Sequence, residues 1–282
     1  MRLYNTSRGI LLEQADRWVR LPESDWDALI NHEALAAHLD RLGRTLPASA
    51  PPDLVSEPAL PPMQGQELWA SGVTYLRSKV ERQEESKDAG GADFYQRVYD
   101  AQRPELFFKG TRHRVVGHGG KVRMRRDSTW NVPEPELALY INSKGSIQGY
   151  TIGNDVSSRS IEGENALYLP QAKVFEKCAG LGPCLYVPEQ PVPKDTAIKM
   201  SIYRSGGAVY NDETSISRMK RSHTELAGFL YRECDFPAGS FLMTGTCLVP
   251  PNNFTLQPGD VVSISIDHIG TLVNPVSFKP LN

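Results

Sequence analysis

Two glutamates stand two residues apart in the otherwise apolar run VPEPELALYI, Val132 to Ile141. Along a strand, side chains alternate between faces. Pro135, Leu137, Leu139 and Ile141 then point one way, and Glu134, Glu136, Ala138 and Tyr140 the other. Both carboxylates fall on one face, close enough to repel, so one must protonate unless a cation lies between them. NSKG follows, with the composition of a hairpin turn, and then SIQGYTIGNDVSSR. A hairpin there returns the chain alongside and brings Asp155 toward the pair. Three converging carboxylates make an oxygen-only site, suited to magnesium, manganese or calcium rather than zinc. The same residues suit a half-exposed antiparallel strand with both glutamates in solvent and Asp155 in a turn. Pattern alone leaves both readings open.

Other residues carry weaker signals. Lys109 ends RPELFFKG and Lys173 lies in QAKVFEKCAGLGPCL. Each, taken singly, suits a surface lysine. Thr244-Gly245-Thr246 in TGTCLVPP is a turn, or a loop whose N–H groups bind a carboxylate. His113 and His118 flank a short strand without a metal-binding partner, and all six histidines read as structural or surface residues. No phosphate-binding loop, dinucleotide fingerprint or nucleophile elbow is present.

Many short valine-, isoleucine- and tyrosine-bearing runs, with 21 prolines and 23 glycines between them, predict a β-rich α+β fold with many turns. Residues 1–45 read as a small α+β unit. RGILLEQADRWVRL supplies strands, and DWDALINHEALAAHLDRL places Trp26, Leu29, Ile30, Leu35, Leu39 and Leu42 at helical spacing. LPASAPPDLVSEPALPPM reads as an extended linker or wrapping segment. The expected division is therefore a small N-terminal domain with this segment over residues 1–63, and the larger body of the chain over 64–282. ELWASGVTY reads as a strand. The charged stretch from Leu76, broken at Gly90-Gly91, reads as a solvated helix or a lid over a site. Strands dominate after Pro104, with one helix at SHTELAGFLYREC whose buried face carries Phe229 and Leu230.

The 282 residues are 40% hydrophobic and 23% charged, enough for a substantial core without staples. A net charge of -2 gives no global attraction to nucleic acid or to an acidic membrane. No apolar run approaches the roughly 20 residues that span a bilayer. Cys178, Cys184, Cys234 and Cys247 form no CxxC pair and read as reduced thiols. The start MRLYNTSRGI lacks an apolar secretory core, so a cytoplasmic protein is expected.

GVTYLRSKVE, RPELFFKG, VPEPELALYI, GYTIGNDVSSRSIE, QAKVFEK, GPCL and TGT occur in that order. As an ordered set they resemble the fumarylacetoacetate hydrolase superfamily over roughly residues 67–275. The resemblance implies a mixed β-sandwich roll catalytic domain that holds a divalent metal by three carboxylates. Those positions are Glu134, Glu136 and Asp155, and Mg2+ is the metal expected, with Mn2+ as its substitute. It further implies that Lys109 and Lys173 face substrate or support the metal shell. Arg159 lies near a substrate carboxylate. Thr246, with Gly245 beside it, binds substrate, and Tyr75 closes the strand end beneath the lid. A homodimer or homotetramer is implied as well.

The hydrolases of the superfamily carry a GxxYxxHxxE pattern, whose His and Glu activate a water. Here Gly72, Tyr75 and Glu81 fit, but Ser78 stands at the histidine position. A hydroxyl has no useful basicity near neutral pH. A second departure is Glu162, where many relatives have glutamine. The wording around the motifs is most similar to the sugar-acid branch, the 2-keto-3-deoxypentonate dehydratases. The expected substrate is a small 2-keto acid, 2-keto-3-deoxy-D-arabinonate or the xylonate-derived acid, converted to 2,5-dioxopentanoate. Glu81, Lys109 or Lys173 would remove the C3 proton, and Ser78 would hydrogen-bond the departing C4 hydroxyl. An acylpyruvate hydrolase or oxaloacetate decarboxylase on the same scaffold is the alternative.

Overall fold

The structure, a computed structural model, describes residues 1–53, 57–76 and 92–281. The chain opens with a meander of β1 (Arg2–Thr6), β2 (Gly9–Gln14) and β3 (Arg17–Arg20), followed by α1 (Trp26–Ile30) and α2 (Leu35–Thr45). β4 (Glu67–Gly72), α3 (Ala92–Asp100) and β5 (Glu105–Thr111) come next. Three short strands, β6 (Val115–Val116), β7 (Val122–Met124) and β8 (Asn131–Val132), lead into the hairpin of β9 (Pro135–Ile141) and β10 (Ile147–Asp155). β11 (Ser157–Ser158), α4 (Arg159–Glu164) and α5 (Leu169–Lys173) precede β12 (Ala179–Tyr186), β13 (Ala197–Arg204) and β14 (Gly207–Ser215). The chain closes with α6 (His223–Leu230), β15 (Ser240–Met243), β16 (Val261–Ile266) and β17 (Gly270–Phe278).

The large sheet runs β3-β2-β1-β12-β10-β9-β15-β4-β5, with β6 beside β12. A five-stranded sheet, β14-β13-β16-β17-β7, packs against one face of it. Leu137, Leu139 and Ile141 enter that shared core with Ile198, Met200 and Ile264. From the opposite face, Ala138 and Tyr140 join a second core with Trp26, Leu35 and Leu39 of the N-terminal helices. The alternation expected for this strand holds, and every residue of β9 is buried. The half-exposed reading of the strand therefore does not hold.

β1 pairs with β12, so the N-terminal meander extends the same sheet. The helical spacing from Trp26 to Leu42 is carried by two helices rather than one. Asn31 ends α1, and its side chain is held by tertiary contacts: Oδ1 accepts from the Ser143 N–H at 2.7 Å and Nδ2 donates to the Pro237 carbonyl at 3.0 Å. The described part of the proline-rich segment wraps the body. Ala59 and Met63 are buried, and the Trp26 indole N–H donates to the Pro62 carbonyl at 3.1 Å. In α6 the buried residues are Leu226, Ala227 and Leu230, not Phe229, whose ring lies under the guanidiniums of Arg103 and Arg232. The four cysteines are free thiols, with Cys234 exposed and the others buried. No helix among the described residues is long and apolar enough to cross a membrane.

Candidate active site

The β9–β10 hairpin places the carboxylates. Its register sets Gly153 opposite Glu136 and Asn154 opposite Pro135, and the Asp155 N–H donates to the Glu134 carbonyl at 2.9 Å. Gly145 at the turn has φ of 78°, a left-handed conformation that glycine takes without a Cβ penalty. One oxygen each of Glu134, Glu136 and Asp155 can be chosen so that all lie within 4.8 Å of one another, and all three residues are buried. Among the described residues this is the one such grouping of acidic, His or Cys side chains. A closed set of carboxylate oxygens fits a hard divalent cation of the magnesium type.

Cations are shared unequally among the three. The Arg159 Nη2 donates to Glu134 Oε1 at 2.8 Å, and the Lys173 Nζ to Glu134 Oε2 at 2.6 Å. Asp155 meets the Lys109 Nζ at 2.5 Å and the Lys173 Nζ at 3.2 Å. Burial pushes the Asp155 carboxyl up, but these two ammoniums outweigh it and hold it below the usual carboxylate range. Among the described residues Glu136 forms no ion pair; its Oε2 accepts the Gly245 N–H. Burial, then Asp155 and Glu134, push its carboxyl well above the usual range. Among the described residues, Glu136 is thus the member of the trio without an ion-pair partner of its own.

Both expected lysines reach the cluster, and both are buried. An ammonium has three protons to donate and no acceptor. The Lys109 protons go to the Val156 carbonyl at 3.0 Å, the Lys173 carbonyl at 2.5 Å and Asp155. Those of Lys173 go to Glu134, Asp155 and the Ser157 Oγ, the last at 2.6 Å. Neither was a surface residue, as the single-residue reading allowed.

A small pocket above the carboxylates is lined by Gly72, Val73, Phe107, Arg159, Gly245 and Thr246, among others. Thr246 is buried, and its hydroxyl is engaged within its own loop, accepting from the Leu248 N–H at 3.2 Å. Tyr75 is buried beside the site and bridges to Met219. Burial pushes its phenol well above the usual range, with Cys247 and Glu136 adding to the effect. Ser78 and Glu81 lie outside the described residues.

Glu105 was not singled out from the sequence. It stands two residues before Phe107 in β5, hence on the same face. Phe107 packs with the core that contains Ala138, so that face is also the one carrying Glu136. The Glu105 carboxylate lies over Gly72: a Cβ on Gly72 would come 2.0 Å from Glu105 Oε2. That oxygen is buried and has no hydrogen-bond partner among the described residues. The period-two spacing Glu105, Phe107 in RPELFFKG was the available signal.

Comparison with known proteins agrees with the geometry. The family described as "Fumarylacetoacetate (FAA) hydrolase C-terminal" matches residues 68–277. The chain is 47% identical, over 245 residues, to a "Probable 2-keto-3-deoxyxylonate dehydratase" of Haloferax volcanii, covering 85% of this chain and 83% of that protein. It is 41% identical over 220 residues to the "2-dehydro-3-deoxy-D-arabinonate dehydratase" of Saccharolobus solfataricus, covering 77% of this chain and 74% of that protein. A solved structure described as "2-keto-3-deoxy-D-arabinonate dehydratase complexed with magnesium and 2,5-dioxopentanoate" superposes with a TM-score of 0.83 at 32% identity, covering all of both chains. The sheet architecture, the buried carboxylate trio and the extent of these matches agree: the chain belongs to the fumarylacetoacetate hydrolase family.

Proposed function

We propose that the protein is a magnesium-dependent hydro-lyase that converts a 2-keto-3-deoxy-pentonate, the arabinonate or xylonate acid, to 2,5-dioxopentanoate. The observation that carries this reading is the buried Glu134, Glu136 and Asp155 trio in a chain this close to sugar-acid dehydratases. Manganese is the substitute metal. A cytoplasmic location and a homodimer or homotetramer are part of the same reading.

When bound, a divalent cation supplies a Lewis acid that polarises the keto group and acidifies C3–H. The chain's own groups do the rest. Lys109 and Lys173 hold Asp155 and Glu134 in place through the hydrogen bonds they donate. Arg159 adds positive charge at Glu134 and, at the pocket wall, faces the substrate carboxylate. Glu105, whose buried Oε2 lies over Gly72 of the pocket lining and has no hydrogen-bond partner among the described residues, takes the C3 proton. The electron pair from C3–H forms a double bond to C4 as the C4–O bond breaks, and the hydroxyl departs as water. Glu81, with Ser78, donates the proton to that hydroxyl. A shift of the double bond from C3–C4 to C4–C5 gives an enol, and its tautomerisation gives the C5 aldehyde. The Gly245 N–H holds Glu136, and Thr246 contacts the substrate.

A coupled assay tests the reading. Purified protein with Mg2+ and 2-keto-3-deoxy-D-pentonate is supplied with a semialdehyde dehydrogenase and NAD(P)+. Reduced nicotinamide that appears with Mg2+ and vanishes with a chelator supports dehydration. Silence there, with pyruvate released from an acylpyruvate or from oxaloacetate, moves the protein to the C–C-cleaving alternative.

A further inference from the structure

Glu136 depends on a main-chain donor, and that donor is held from outside the cluster. Gly245 has φ of 94° and aims its N–H at Glu136 Oε2. Its predecessor Thr244 is fixed to β9: the Thr244 N–H and Oγ1 both donate to the Leu137 carbonyl, at 3.0 and 2.8 Å. Leu137 directly follows Glu136, so this tie sets the distance between the Gly245 loop and its target.

The second tie comes from the end of β4. Thr74 is fully buried, and its Oγ1 donates to the Thr244 carbonyl at 2.7 Å. The Thr74 carbonyl in turn accepts the Lys220 N–H at 2.9 Å. The two segments touch closely enough that a Cβ on Gly245 would lie 2.0 Å from Thr74 Oγ1 and 3.0 Å from the Ser71 carbonyl. Between them Val73 has φ of 55°, an uncommon conformation for a β-branched residue, which persists where the surroundings over-determine it. Thr74 is thus the side chain that locks this strained turn onto the loop that grips Glu136.

We propose that Thr74 is a positioning residue for Glu136, acting through Thr244 and the Gly245 N–H. The proposal rests on the reading that Glu136 is a metal ligand. Groups that orient a ligand commonly change metal affinity by roughly 10- to 100-fold when removed. Thr74→Val keeps the shape and removes the hydroxyl, and Thr74→Ser restores the hydroxyl.

Titration calorimetry with MgCl2 on metal-free protein, without substrate, reads the effect directly. Thr74→Val is expected to bind Mg2+ about tenfold or more weakly than the wild type, and Thr74→Ser within about twofold of it. Should the valine chain fail to fold, Thr74→Ala makes the same comparison. Melting in chelator separates a merely structural role, which lowers the melting temperature of folded Thr74→Val and leaves its Mg2+ affinity unchanged. That outcome overturns the proposal. A wild type that binds no Mg2+ overturns the reading of the site itself, and the positioning role falls with it.

Discussion

The Asp155 N–H donates to the Glu134 carbonyl at 2.9 Å, so two carboxylate residues of the cluster that are far apart in sequence are joined through their main chains. The same pair shares a cation, since the Lys173 Nζ lies 2.6 Å from Glu134 and 3.2 Å from Asp155. The hairpin thus delivers two of the three carboxylates already neutralised. Glu136, held by a neutral N–H, is left as the one whose charge an added cation would relieve.

This asymmetry separates two substitutions. Glu134→Gln removes a buried charge that Arg159 and Lys173 both contact, so metal-free protein should lose on the order of 3 kcal/mol. Glu136→Gln replaces a carboxyl that burial already favours in its neutral form, and should cost under about 1 kcal/mol. Both should abolish Mg2+ binding. Urea unfolding in chelator, followed by calorimetry, measures the two properties separately.

Glu105→Gln should leave the fold and Mg2+ affinity intact and lower kcat by about 10²- to 10⁴-fold, the range expected on losing a positioned base. Gly72→Ala should act through the same side chain. Its Cβ would sit where Glu105 Oε2 now lies, and the flexible carboxylate must move. Steady-state kinetics at saturating Mg2+ should show kcat falling in both variants. A Glu105→Gln enzyme with wild-type turnover removes Glu105 from the reaction.

Acid stability should depend on Glu57, remote from the site. Burial pushes this carboxyl up, but the Thr6 hydroxyl and the Arg20 guanidinium outweigh it and hold it below its ordinary value. A depressed folded value means that stability is fully present above the unfolded-state pKa, about 4.3, and is lost as pH falls through the folded value. The difference in melting temperature between wild type and Glu57→Gln should therefore be largest near neutral pH and shrink in acid. A constant difference from neutral pH down into acid contradicts this linkage.

Much of the site could be read from residue order because strand geometry is local. The period of two put Glu134 and Glu136 on one face, and the NSKG turn brought Asp155 to them. What could not be read depended on long-range packing. The burial of both faces of β9 requires the five-stranded sheet on one side and α1 and α2 on the other. The break at Asn31 follows from contacts with Ser143 and Pro237, over a hundred residues away, which no helical periodicity encodes. Taken singly, the lysines read as surface residues because their acceptors, Val156 O and Ser157 Oγ among them, come from elsewhere in the chain. Glu105 escaped notice since an acidic residue after a proline at a strand start is commonplace. Its place over Gly72 exists only once β4 and β5 pair.

The most direct test follows the substrate itself. Proton NMR of 2-keto-3-deoxy-D-arabinonate and its xylonate-derived counterpart, each incubated with the wild-type protein and Mg2+, reports the C5 carbon as it changes from alcohol to aldehyde. Loss of the C4 and C5 carbinol signals, with an aldehyde or its hydrate appearing only when Mg2+ is present, is the expected result. Unchanged substrate in the presence of Mg2+, from protein that calorimetry shows to bind the metal, contradicts the dehydratase assignment.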